Sequence, residues 1–489
     1  MRTAYRVETV RAAERALMAR LPAGTLMARA AAGLAAACAE LLKPRLYGAR
    51  VVLLVGSGDN GGDALYAGAR LARRGAAVTA VLLNEERAHP GGLAALRAAG
   101  GRAAGAAGAE RLIARARLVV DGITGIGGRG GLRQDAAGPA AAAAEHGVPV
   151  VAVDLPSGVD ADTGEVHGAA VRAELTVTFG AWKPGLLVDP ARALAGEVRL
   201  VDIGLGPELP PEPDLVALDD ADAAALLPRP EAESDKYRRG VIGIAAGSAR
   251  YPGAAVLTVG GALHGGAGAV RYAGPAGGGV IGRYPETLVS EGRPSEAGRV
   301  QAWVVGPGLG GGPEAGTTVA DVLAADVPVL VDADGLHSID PERLRARSAP
   351  TVLTPHAGEA AALLGTSRDR VESARLASVS ELAARYGAVA LLKGSTTLIA
   401  EPGPEGRGRG RGRVLANTTG TPWLATAGSG DVLSGLIGAL LAAGLAPLDA
   451  AALGAHLHGL AGQAAPVPPM ASTVTEALPG VWAALSPRR

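Results

Sequence analysis

Short apolar runs recur along this 489-residue chain, separated by longer alanine-rich segments with helical spacing. In the first part they fall at 50–55, 78–83, 118–120, 148–153, 175–179 and 198–201. In the second they fall at 241–245, 303–305, 329–332, 352–354 and 389–393. A strand buried on both faces reads as such a run, and strand–helix alternation is what a parallel sheet covered on both sides requires. The predicted class is therefore α/β, built twice. Between the two series lies Gly206-Pro207-Glu208-Leu209-Pro210-Pro211-Glu212-Pro213, where the prolines lack amide donors and forbid helix. The boundary is placed there, giving domains 1–213 and 214–489, in keeping with the length. Residues 5–42 carry a helical pattern, a helix is predicted over 63–74, and long helices are predicted to close the chain.

Basic and acidic residues balance at 47 each, so no net field draws the chain to nucleic acid or an anionic membrane, and small-molecule chemistry is expected. Apolar residues make up 48% and aromatics only 3%, so helices are expected to pack closely on small side chains. The single cysteine, Cys38, cannot form an internal disulfide, which suits a reducing cytoplasm. No uncharged apolar stretch reaches the roughly 18 residues needed to span a bilayer, and neither signal peptide nor membrane anchor is expected. The basic repeat from 406 to 413, between strand-like pieces 397–400 and 413–416, holds no interleaved aromatic residue and reads as a solvated hairpin loop.

The strand at 50–55 enters Gly56-Ser57-Gly58-Asp59-Asn60-Gly61-Gly62-Asp63. Gly56, Gly58 and Gly61 satisfy a dinucleotide-binding spacing, with Glu85 or Glu86 placed for a ribose, so a dehydrogenase is a rival reading. Against it, Asp59 and Asp63 put carboxylates at the cradle, where they would repel a pyrophosphate unless a cation intervened. Two further loops follow strands and open onto the same sheet edge: Asp121-Gly122-Ile123-Thr124-Gly125-Ile126-Gly127 and Asp154-Leu155-Pro156-Ser157-Gly158-Val159-Asp160. Asn60, Asp121 and Ser157 offer hard oxygen ligands for an alkali or alkaline-earth ion, and Asp154 is left for proton transfer. Asp121 and Asp154 could equally bond turn amides.

On these motifs, residues 1 to about 210 resemble the epimerase domain of the NAD(P)H-hydrate repair proteins, a Rossmann-like three-layer α/β/α fold. The resemblance implies that Asp59, Asn60, Gly61, Gly62 and Asp63, with Gly125, Ile126, Gly127, Gly128, Arg129, Gly130 and Gly131, hold the hydrated nucleotide. It implies potassium on Asn60, Asp121 and Ser157, and substrate contact by Asp154, the candidate acid/base. Asp59 departs from the family's frequent asparagine and adds a charge.

In the second half no Walker loop occurs. Asp431 instead follows Gly428-Ser429-Gly430 and opens an apolar helix, where helix N-terminal amides would stabilise phosphate charge while the carboxylate takes a proton; simple helix capping is the plainer alternative. Lys393-Gly394-Ser395-Thr396-Thr397 leaves a strand and offers an ammonium and hydroxyls to a nucleotide phosphate. His356 also follows a strand, and Asp332, Asp334 and Glu359 are placed for Mg²⁺ bridging to phosphates. Gly247-Ser248-Ala249-Arg250-Tyr251-Pro252-Gly253-Ala254-Ala255 and Gly306-Pro307-Gly308-Leu309-Gly310 are glycine turns that could admit a flat ligand.

With these segments in order, residues from about 215 to 489 resemble the ribokinase-like ADP/ATP-dependent NAD(P)H-hydrate dehydratase domain. The resemblance implies hydrate contacts by Ala255, Gly308, His356 and Asp431, and adenine-nucleotide contacts by Lys393, Gly394, Ser395, Thr396, Thr397 and Gly430. The whole chain then reads as a cytoplasmic homo-oligomer that epimerises the R and S hydrates of NADH and NADPH and dehydrates the S form. ADP is its co-substrate, K⁺ serves the first domain and Mg²⁺ the second. A ribokinase-like vitamin-precursor kinase fused to a nucleotide-binding domain is the alternative, and a non-enzymatic nucleotide sensor a third.

Overall fold

The computed structural model describes residues 1–128, 130–403 and 412–486. Arg129 and most of the arginine–glycine repeat therefore lie outside the described residues. The chain separates into two compact units, Thr3–Asp214 and Leu215–Arg489, the latter joined by Met1–Arg2.

The first unit is built on seven strands, all parallel, which in spatial order begin at Arg102, Ala77, Arg50, Leu118, Val150, Leu175 and Glu197. Alternate residues of Arg50–Val55 feed two different cores. Val51, Leu53 and Val55 pack with helices Val7–Met18, Thr25–Leu41 and Asp59–Arg73, while Val52 and Leu54 pack with Ala109–Ile113 and Gln134–Glu145. Helices on both faces follow directly from the two-residue period of a strand.

Two expectations need correction here. The pattern over 5–42 is two helices, broken at Leu21-Pro22-Ala23-Gly24, because Pro22 has no amide donor and Gly24 stands at φ 79. The helix expected from 63 begins at Asp59, so the acidic turn forms its first turn rather than a loop before it.

The second unit carries a sheet whose strands begin, in spatial order, at Leu215, Val414, Thr397, Val389, Thr351, Val329, Ala302, Val241, Ala269 and Leu288. Thr397–Ala400 pairs antiparallel with both neighbours, and the other pairings among these strands are parallel. Helices Pro252–His264, Ser429–Ala442, Pro447–Ala464 and Ala471–Leu485 cover one face, burying Ile242, Ile244, Val304 and Leu330.

In the first sheet the chain starts at the inner Arg50 strand and later reverses direction; in the second it starts at the Leu215 edge, crosses to the Val241 strand, runs outward to Leu288 and then reverses. The reversal falls between the Arg50 and Leu118 strands in one and between the Val241 and Ala302 strands in the other. Loops leaving neighbouring strands diverge at such a point and open a crevice at the carboxyl edge. The glycine turns at 56–63 and 122–128, and at 247–255 and 306–310, leave those strands.

Candidate active sites

In the first unit the chain leaves Val55 through Gly56, where a Cβ would fall 1.9 Å from Ile123 O, and Gly58, at φ 98. That close approach brings Asn60 beside the neighbouring loop, its Oδ1 2.7 Å from where a Cβ on Gly125 would stand. Asp121, in the adjacent strand, is fully buried. Its Oδ1 accepts from Ser157 Oγ (2.7 Å) and Ile123 N (3.2 Å), and its Oδ2 from Ser157 N (2.8 Å). Ser157 Oγ in turn accepts from Thr124 N at 2.9 Å. Burial pushes the Asp121 carboxyl up to about 6, against the pull of those hydrogen bonds. Asn60 Nδ2 is buried with no partner among the described residues.

Asp154 directly follows its strand and stands at φ 68, a conformation that a non-glycine residue holds only when its surroundings enforce it. The enforcement is visible. Its Oδ1 accepts from Lys183 Nζ (2.5 Å), Thr178 Oγ1 (3.0 Å) and Phe179 N (3.2 Å). Lys183, 1% exposed, also donates to Thr178 Oγ1 and Phe179 O. The sequence analysis gives Lys183 no role; its one signal is the scarcity of lysine, of which the chain has four.

Asp154, Asp59, Asn60, Asp63 and residues 124–128 line a cavity of about 1180 Å³, large enough for a dinucleotide. Asp63 Oδ1 is shielded from solvent and unpartnered among the described residues. Burial, then the charges of Asp154, Asp59 and Glu14, raise its carboxyl well above the usual range. Gly61, Gly62 and Gly131 serve packing: their Cβ positions would meet Gly56 O at 2.5 Å, Met27 Cε at 3.0 Å and Gly168 Cα at 2.8 Å. Gly130, at φ 70, meets nothing within 4 Å.

In the second unit Asp431 lies in the first turn of helix Ser429–Ala442, entered through Gly428 at φ 85. Burial first, then Asp332 and Asp334, push its carboxyl up to about 7, while Lys393 opposes them. Lys393 Nζ pairs with Asp332 Oδ1 at 2.7 Å and stands 3.7 Å from Glu359 Oε2. Asp332 Oδ2 accepts from Ser434 Oγ at 2.6 Å, and Asp334 Oδ2 from Gly310 N at 2.8 Å.

The carboxylates of Asp332, Asp334 and Glu359 are thus divided among a lysine, a glycine amide and the His356 amide. They form no metal cage, and no three-ligand acidic, histidine or cysteine cluster occurs among the described residues. His356 is exposed and caps helix Ala357–Leu364, its Nδ1 accepting from the Gly358 and Glu359 amides. Ala255 is buried against Gly247, whereas Gly308, at φ 66, abuts Tyr251 and Ala254.

Two residues overlooked in the sequence organise these loops. The Nη2 of buried Arg375 donates to the carbonyls of Leu392, Lys393 and Thr396, shaping the turn that presents 393–397. His458 lies beneath the GSGD turn, its Nε2 3.4 Å from Ser429 Oγ, and burial lowers its pKa to about 4, so it is neutral at pH 7.

Gly306 gives a direct test of this construction. At φ 124, with its Cβ position 1.9 Å from Asp332 O, it cannot take a side chain without moving the loop that carries Asp332. Gly306→Ala is expected to cost more than about 2 kcal/mol, read as a drop in the thermal midpoint. A variant as stable as the parent would show that the two loops yield freely.

Two family models match the chain: YjeF-related protein N-terminus over residues 23–185, and NAD(P)H-hydrate dehydratase over residues 242–478. A bifunctional NAD(P)H-hydrate repair enzyme from Mycobacterium leprae is 50% identical over 94% of this chain and 93% of its own. The Mycobacterium tuberculosis relative of the same name is 50% identical over 92% of each. Among solved structures, an ADP/ATP-dependent NAD(P)H-hydrate dehydratase from Bacillus subtilis, co-crystallised with ATP and Mg²⁺, is 28% identical with a TM-score of 0.50. It covers 55% of this chain and 99% of that one. The second unit is thus ribokinase-like, and the chain belongs to the bifunctional NAD(P)H-hydrate repair enzymes.

Proposed function

We propose that the first unit interconverts the R and S hydrates of NADH and NADPH and that the second dehydrates the S form at the expense of ADP, releasing AMP and phosphate. The observation that carries this is one carboxylate in each unit, Asp154 and Asp431, held at the carboxyl edge close to where sheet order reverses.

In the first unit, C6 of the ring loses its hydroxyl with a proton and regains water on the other face. Asp154 passes the proton, and the Lys183 ion pair keeps its Oδ1 in place while Oδ2 is left to the substrate. Potassium suits the oxygen set of Asn60, Asp121 and Ser157, because Asp121 is a buried carboxylate whose hydrogen-bond partners are neutral donors. The ion would supply the missing countercharge and fix three loops. Exchange of K⁺ for choline is expected to lower the first unit's thermal midpoint by a few degrees and to slow epimerisation. An unchanged midpoint would remove the ion from the proposal.

In the second unit Asp431 accepts the proton of the C6 hydroxyl as that oxygen takes a phosphoryl group from ADP, leaving AMP. The phosphate ester then leaves with the C6–O electron pair, pushed by the ring nitrogen, and loss of a C5 proton restores the dihydropyridine. Backbone amides at Ser429–Gly430 and the 393–397 turn, with Gly308 and His356, position the two substrates. Mg²⁺ would arrive on the nucleotide phosphates and neutralise their charge, which needs no all-protein cage.

The deciding experiment supplies mixed R and S hydrate with ADP, K⁺ and Mg²⁺ and follows reduced-nicotinamide absorbance and inorganic phosphate together. A small-molecule kinase would accumulate a phosphorylated product with neither signal. The balanced charge and the buried Cys38 support a cytoplasmic enzyme of small molecules, and no helix among the described residues is long and apolar enough to cross a membrane.

A further inference from the structure

Asp59, Asp63, Tyr66, Arg70 and Arg73 all line the first unit's cavity, and they stand at i, i+4, i+7, i+11 and i+14 of one helix. That spacing is a single stripe along the helix face. Its chemistry is graded from two carboxylates beside the reacting end, through an aromatic ring, to two guanidinium groups. At 1.5 Å per residue, Arg70 and Arg73 lie about 10 and 15 Å beyond Asp63 along the axis.

Arg11 and Arg15, from helix Val7–Met18, line the same cavity, with Arg11 Nη2 3.1 Å from the Cβ position of Gly127. None of Arg11, Arg15, Arg70 or Arg73 belongs to an ion pair among the described residues. Arg70 makes a long hydrogen bond, 3.5 Å, to Ala28 O. Arginine in a last turn complements the helix dipole, but that modest effect does not account for guanidinium groups from two helices lining one cavity.

We propose that the Arg70–Arg73 end of the cavity, with Arg15, binds a phosphate of the dinucleotide that lies away from the nicotinamide ring. A guanidinium fork matches phosphate oxygens bidentately, and Arg15, Arg70 and Arg73 are exposed to solvent at this end of the cavity, open to a ligand that enters it. The inference takes the identity of the dinucleotide from the proposed epimerisation and adds where its far end is held. The phosphate is either the 2′-phosphate of the NADPH hydrate or the pyrophosphate shared by both hydrates.

The test compares the full chain with Arg70→Gln/Arg73→Gln and with Arg70→Lys/Arg73→Lys. Epimerisation is measured without ADP on the NADPH and NADH hydrates separately. Binding of adenosine 2′,5′-bisphosphate is measured by calorimetry, with saturating AMP to occupy the second unit. The glutamine variant is expected to raise KM about tenfold or more with kcat within about twofold, and the lysine variant to regain part of the loss. A rise confined to the NADPH hydrate, with weaker bisphosphate binding, assigns the 2′-phosphate. An equal rise for both hydrates assigns the pyrophosphate.

An unchanged KM for both hydrates, or a fall in kcat at constant KM, overturns the subsite. Arginine-dependent bisphosphate binding by a parent chain that lacks epimerase activity would sink the proposed reaction and leave the subsite standing.

Discussion

Asp431→Asn is expected to lower recovery of reduced cofactor from the S hydrate by about 10²–10⁴-fold while binding of the hydrate persists. The carboxyl sits at the start of a buried helix, and burial together with the Asp332 charge lifts it to about 7. A base must be ionised to take a proton, so the parent rate should fall as pH drops below about 7 and level off above it. A base matched to neutral pH is near the optimum for such a transfer. The same shift has a stability consequence of opposite sign. Because the folded-state carboxyl holds its proton more tightly than the unfolded one, its favourable contribution is complete below about 4 and is lost as pH rises through about 7. Asp431→Asn should therefore unfold at a higher temperature than the parent at pH 8, and the gain should vanish near pH 4. Full recovery of cofactor by the variant, or a parent rate flat from pH 6 to 8, would take Asp431 out of the mechanism.

The parts of the fold that the sequence disclosed are those where burial writes a continuous apolar run. Residues 50–55, 175–179 and 241–245 are strands with the expected limits. Arg102–Gly105 and Leu288–Ser290 were overlooked because they are edge strands, only partly buried, with an alanine–glycine or three-residue signal too weak to register. The start of helix Asp59–Arg73 was misplaced for a different reason. Gly61 and Gly62 disfavour helix locally, yet a side chain at 61 would strike Gly56 O, and one at 62 would crowd Met27 and His89. Tertiary contact thus overrides propensity.

The placement of Asp154 directly after a strand, and of Asp431 directly after Gly430 at a helix start, was legible in the sequence. Lys183 and Arg375 were not. Their role is to meet backbone and side-chain oxygens brought together by the sheet, and a buried charge carries no periodicity of its own. Lys393 shows the converse: its expected place beside the nucleotide is shared with Asp332, so its ammonium also restrains the loop that carries that carboxylate.

Lys183→Met should prove as damaging to the first unit as any change at Asp154. Asp154→Ala itself is expected to slow only the R portion of a mixed hydrate, since the S form reaches the second unit without epimerisation. Among the described residues, the cavity residues that Lys183 hydrogen-bonds are Asp154 and Phe179, so its effect on the reaction is expected to pass through the position and charge of that carboxylate. Removing one partner of a buried pair leaves the other uncompensated, which costs about 3–5 kcal/mol, whereas removing both costs far less than the sum. The single variants Lys183→Met and Asp154→Asn should each lower the first unit's thermal midpoint, and the double variant should recover part of that loss. Epimerisation should be lost in the double variant as in the singles, so stability and rate part company. Additive losses in the double variant would mean that the two groups are not coupled in the folded protein. Epimerisation of the R hydrate at the parent rate by Lys183→Met would mean that Asp154 needs no ammonium behind it to move the proton.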